Sequence, residues 1–220
     1  MAITKADTAR KELTSQEYYL RFIKGATINE EEAMARRKRP HLKNSTISTK
    51  LYLEQFNGLK PRTCFGGDSL TFSAATEYHL RNFDSLQTAL IVVTHPKQEG
   101  VYFAVTYLKD GKLLVADPTA DIESTAASSR KARNFDMPLE KFEANHKGAT
   151  IEYIPATTFV NSIDKNLSDV KTIDATNLHK LLAKQEKEGI LPKEYVKPLD
   201  NIELAGSMPT GKLRIQELQG

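Results

Sequence analysis

With a single cysteine among its 220 residues, the chain excludes any intrachain disulfide and any zinc site that needs several thiolates. It lacks an apolar run near the roughly 18–20 residues that cross a bilayer, so no membrane span is expected. The opening segment, from Met1 to Arg10, has no apolar centre of the kind a Sec signal requires. No glycine-rich phosphate loop is present, because Gly66-Gly67 leads into Asp68 and Ser69 without the lysine that such a loop uses, and nucleotide hydrolysis is disfavoured. Internal repeats and low-complexity tracts are absent too, which argues against solenoids and linker arrays.

What remains is an ordinary globular composition, 40% hydrophobic and 27% charged with a formal net charge of +3, long enough for one domain with a sizeable core plus an extension. Basic character is concentrated early: residues 1–63 hold 13 Lys and Arg against 7 Asp and Glu. Within that stretch Arg36-Arg37-Lys38-Arg39 ends a helical pattern that opens with Glu30-Glu31-Glu32. Acid first and base last is what a helix dipole favours, so nucleic-acid binding is not expected from this cluster.

The first third reads as helices: Ser15 as the cap of one carrying Tyr19, Leu20, Phe22 and Ile23, Asn29 as the cap of a second, and a third near 46–57. After Cys64-Phe65-Gly66-Gly67, Asp68 or Ser69 caps a helix to about Phe83 with Leu70, Phe72, Ala75, His79 and Leu80 on its buried stripe. The pattern then turns to strands over 88–94, 101–107 and 113–116, the last two joined by a Lys109-Asp110-Gly111 turn. A polar connection from Ile122 to Arg133 reads as a mobile surface loop. A helix near Pro138, a strand over 149–154 and a helix over 177–187 capped by Asp174 or Thr176 follow. The division expected is an N-terminal helical region over 1–59, a core over 60–160, and a C-terminal helix with an extended tail packed on the core over 161–220.

A thiol placed ahead of a helix N-terminus is favoured as thiolate by unpaired N–H groups, and glycines beside it allow close approach of a substrate. Cys64 is therefore the candidate nucleophile, against the bland reading of a small packed hydrophobe. The succession of cysteine, helix and strands, ending in Val115-Ala116-Asp117-Pro118-Thr119, resembles the transglutaminase-like branch of the papain-like cysteine enzymes. The stretch from Tyr102 to Pro118 is also similar to the leader-peptide peptidases of bacteriocin exporters. The resemblance covers about residues 60–120. It implies an α+β fold in which N-terminal helices and a cysteine-bearing helix pack on an antiparallel sheet. It also implies a Cys-His-Asp arrangement in which Cys64 and Asp117 take two of the three places.

The family's histidine stands about fifteen residues before the aspartate, where this chain has Val101-Tyr102. His95 is the expected substitute, because an antiparallel pairing brings the exit of strand 88–94 beside the entrance of the next strand. The bland alternative is that His95-Pro96 merely starts a turn. His146 is held in reserve, His79 reads as a packed core residue, His41 and His179 as remote, and Gln55 as a weak candidate oxyanion donor. Asp117, Asp121 and Glu123 could gather a hard cation, but ordinary surface acidity is the expectation, and no metal site and no cofactor are expected.

Two functions follow. One is a cysteine hydrolase or acyltransferase (protease, deamidase or transglutaminase-like) acting on a protein substrate through Cys64, His95 and Asp117. The other is a catalytically inactive module of the same fold that binds a protein partner. Some relatives imply a bacterial effector, either cytoplasmic or delivered into a host cell without a Sec signal.

Overall fold

The computed structural model describes residues 14–28, 65–97, 101–124, 126–160 and 170–191. Cys64, His41, Gln55, the basic run Arg36–Arg39, the two helices expected near 30–39 and 46–57, and most of the C-terminal tail lie outside the described residues.

The first helix, α1, spans Ser15–Gly25. Its cap is Thr14 and not Ser15, because Thr14-x-x-Glu17 closes a capping box: the Thr14 hydroxyl accepts from the Glu17 amide and the Glu17 carboxylate accepts from the Thr14 amide. Tyr19, Phe22 and Ile23, at i, i+3 and i+4, form its buried face. Two short strands follow, β1 (Ala26–Ile28) and β2 (Phe65–Gly67), paired in parallel with Ala26 opposite Phe65.

Helix α2, Ser69–Phe83, starts at Asp68, whose carboxylate accepts from the Thr71 amide. Every residue from Leu70 to Arg81 is buried, so α2 is a central helix enclosed on all sides. The sheet that carries it is antiparallel throughout, in the order β6-β5-β4-β3-β7. Its members are β3 (Gln87–Thr94), β4 (Tyr102–Lys109), β5 (Lys112–Ala116), β6 (Met137–Pro138) and β7 (Thr150–Pro155). Asp110 and Gly111 both have positive φ, 51° and 73°, which is the mirror-image two-residue turn that a right-twisted hairpin prefers.

Alternation along the strands feeds two cores. Leu90, Phe103, Val105, Tyr107, Ala116 and Ile154 face α1 and α2. Ala89, Ile91, Val93, Ala104, Leu108 and Val115 face α4 (Leu139–Asn145) and α6 (Ala175–Glu188), which contribute Phe142, Leu178 and Leu182. The architecture is therefore α+β with helices on both faces of one antiparallel sheet. Helix α1 and helix α6, from the ends of the described chain, are both built into these cores.

Two segments depart from the sequence reading. Asp117-Pro118 opens a helix, α3 (Pro118–Glu123), because Asp117 caps it through the Ala120 amide and Pro118 takes the first-turn position where no N–H is needed. The polar connection that follows α3 is exposed at Ala126–Ser129, as a 3₁₀ turn, yet it is anchored: the Arg130 guanidinium donates to the Ile23 and Ala26 carbonyls at 2.7 and 2.6 Å. A short helix, α5 (Ala156–Val160), follows β7 directly.

Candidate functional site

One end of the sheet collects the chemistry. Val93 on β3 pairs with Tyr102 at the start of β4, and Ala116 at the end of β5 pairs with Val105, so His95, Tyr102 and Asp117 come to the same end. Thr94 pairs with Thr150 at the start of β7, and the turn before it, closed by the Ala149 amide on the His146 carbonyl, brings His146 there as well. The central helix reaches the same end, since the Phe103 amide donates to Ser69 Oγ at 3.3 Å. The antiparallel geometry expected for His95 and Asp117 is thus present.

Among the described residues, the bonds of the cluster do not join His95 to Asp117. The Tyr102 hydroxyl donates to Asp117 Oδ1 at 2.5 Å. His95 bonds instead to His146, Nε2 to Nδ1, at 3.3 Å. His146 is wedged between rings, with centroids 4.4 Å from Phe142 and 5.6 Å from Tyr102. Tyr102 therefore stands in the Val101-Tyr102 step where the resemblance led to the expectation of a histidine, and it bonds to Asp117. Cys64 precedes Phe65 outside the described residues; between it and the first residue of α2 stand the strand β2 and the cap Asp68. One of the orphan amides of the first turn, that of Thr71, is taken by the Asp68 carboxylate.

Of the three acidic groups, Asp117 and Asp121 are not surface acidity, which corrects the sequence reading there, whereas Glu123 is exposed as expected. Asp117 is 4% exposed and Asp121 fully buried. Asp121 accepts from the Tyr19 hydroxyl at 2.9 Å and from the Asn134 side chain at 2.9 Å, and the Asp117 amide donates to the Asn134 carbonyl. Among the described residues neither forms an ion pair with Lys or Arg. Burial consequently dominates: it pushes the Asp117 carboxyl up to about 6 against the opposing hydrogen bonds from Tyr102 and the Ala120 amide, and raises Asp121 in the same direction. The Tyr102 phenol is held well above its ordinary value by burial and then by the Asp117 charge, so it stays neutral and acts as a donor. His146 is lowered by burial and by its neighbour His95.

The remaining histidines lie elsewhere. His79 is buried in the α1–α2 layer, stacked on Tyr18 at 3.8 Å, and burial lowers it to about 4. His179 is exposed, with Nε2 3.1 Å from the Gly111 carbonyl. Sequence reasoning missed Tyr102 as a bonding partner, although the signal was there in its fifteen-residue separation from Asp117. It also missed Tyr19 and Asn134, whose approach to Asp121 no local pattern announces. No group of three or more metal-ligating side chains occurs among the described residues, and no described helix is long and apolar enough to cross a membrane. No family model matches the chain, and neither a curated protein nor a solved structure matches it.

Proposed function

We propose that this chain is a protein-binding module on a papain-like, transglutaminase-like fold in which a tyrosine–aspartate pair has taken the place of the catalytic histidine–aspartate pair. One observation carries the reading: the 2.5 Å bond from the Tyr102 hydroxyl to Asp117, at the position where the imidazole is due. A phenol raised well above its ordinary value cannot take a proton from a thiol near neutral pH, so the relay that would activate a nucleophile has no base in that place. The Asp68 carboxyl at the first turn of α2 acts in the same direction, because it occupies the Thr71 amide that could otherwise serve an incoming anion. The partner that the resemblance implies is a protein or peptide segment.

Alkylation of Cys64 by iodoacetamide, followed against pH, tests the catalytic half of this reading. The expected inflection is at or above about 8.5, the ordinary thiol value, and unmoved by His95→Ala or His146→Ala. An inflection below 7 that either substitution moves back up would overturn it. A peptide array tests the other half: bound peptides are expected to be shared by the wild type and Cys64→Ala, and an array with no bound peptide would count against a binding module.

A second reading has its own observation. His95 and His146 stand at the same sheet end as Asp117, and an imidazole of that pair could serve as the base of a thiol hydrolase or acyltransferase using Cys64. The low alkylation inflection just described is its signature.

A further inference from the structure

We propose that His95 and His146 form a two-imidazole site for a divalent transition-metal ion of the zinc class, independent of whether the module is catalytic. The argument begins with a length. Two imidazole nitrogens bound to zinc at about 2.0–2.1 Å with a tetrahedral angle between them lie about 3.3–3.4 Å apart. His95 Nε2 and His146 Nδ1 are separated by 3.3 Å. The pair already spans one edge of a zinc tetrahedron, and turning both rings off the line between the two nitrogens aims their lone pairs at a common point.

The supports of the two rings are fixed. His95 directly follows β3, and His146 is the C-cap of α4, its amide bonded to the Phe142 and Glu143 carbonyls. The Phe142 and Tyr102 rings pack near His146, and the two imidazole planes cross at 45°. Both histidines are partly exposed, so an ion can enter from solvent. Imidazole is the ligand that suits zinc, copper and nickel, and with no third ligand among the described residues the other positions fall to water.

Proton balance is simple. In the neutral pair one ring nitrogen donates its N–H to the other. When the ion replaces that bridging hydrogen, the donor ring takes the tautomer with its proton on the far nitrogen, exchanged through solvent, and both rings remain neutral. The ion carries its own charge into a cluster whose carboxylates have no cationic partner among the described residues.

Titration of the full chain with zinc chloride near pH 7.5, by calorimetry in a non-coordinating buffer, tests the site. One saturable equivalent is expected, weakened at least about tenfold by His95→Ala and by His146→Ala, and unchanged by His179→Ala. Because His146→Ala could loosen the α4 packing, the imidazole Hε1 resonances of the wild type give a second measurement: those of His95 and His146 are expected to shift on zinc addition while that of His79 stays in place. No saturable binding would overturn the proposal. So would affinity retained by both histidine variants, or affinity lost only in Cys64→Ser.

Discussion

Glu77 and Arg81, one turn apart on α2, are buried, as is Asp117 beside the half-buried Tyr102 at the end of the sheet, yet the two groups solve the problem of burial differently. On α2 the charges cancel. Glu77 Oε1 accepts from Arg81 Nε at 2.8 Å and from the Thr88 hydroxyl at 2.8 Å, and all three residues are 2% exposed or less. The network binds helix to strand. At the sheet end two carboxylates are met by tyrosine hydroxyls, an asparagine and backbone amides, and two imidazoles are met by each other. Hydrogen bonds are made there, but charge is not balanced. Burial by itself does not mark a site; an excess of unneutralised, reachable chemistry does.

That contrast can be broken experimentally, beginning with the largest effect. Arg81→Met leaves Glu77 without its cation in the interior and should destabilise the fold by about 3–5 kcal/mol in urea titration, with much of the loss regained in the double variant Glu77→Leu, Arg81→Met. No regain would mean that the pair is not the self-contained unit described.

Acid should act in opposite senses on His79 and Asp117. The folded value of His79, about 4, lies below its free value near 6.5, so its contribution is complete above pH 6.5 and lost as pH falls through 4. About 3 kcal/mol is at stake, and His79→Phe should flatten that arm of the stability profile. Tyr18, stacked on the ring, and Asp84, whose charge opposes the shift, are the groups that face it.

Asp117 runs the other way. Its folded value, about 6, lies above the free value, so burial penalises the fold above pH 6 and the penalty disappears as pH falls toward 4. Asp117→Asn keeps an acceptor for the Ala120 amide and should raise stability at pH 7.5 by about 2 kcal/mol, with little gain at pH 4. A loss of stability at pH 7.5 would show that the carboxylate is better neutralised than its neighbours suggest. The smallest effect belongs to the exposed pair Lys109–Asp136, whose side chains are 43% and 37% exposed. Lys109→Met should change stability by less than about 1 kcal/mol, which sets the surface scale against which the buried pair is read.

The stretch from α2 to β5 was legible because its periods are clean. A helix capped at Asp68, strands near 88–94 and 101–107, and the Asp110-Gly111 turn all follow from local chemistry. Other elements were hidden for definite reasons. Strands β1 and β2 have three residues each and β2 contains two glycines, so neither carries a strand pattern. Helix α3 was obscured because Asp117-Pro118-Thr119 was read as the close of a motif and not also as a cap with proline in the first turn. At the site, the convergence of His95 and Asp117 on one sheet end could be argued from antiparallel order. The pairing of His95 with His146 could not, because it depends on how α4 returns the chain to β7 across fifty residues.

The Arg130 guanidinium, closing on the carbonyls of Ile23 and Ala26 from more than a hundred residues downstream, bears on the order in which the molecule assembles. The β4–β5 hairpin is local and can form early, whereas the last turn of α1 acquires this clasp only after the chain beyond α3 has arrived. Removing the clasp in Arg130→Ala should accordingly speed amide exchange in the final turn of α1 while leaving that in α2 unchanged.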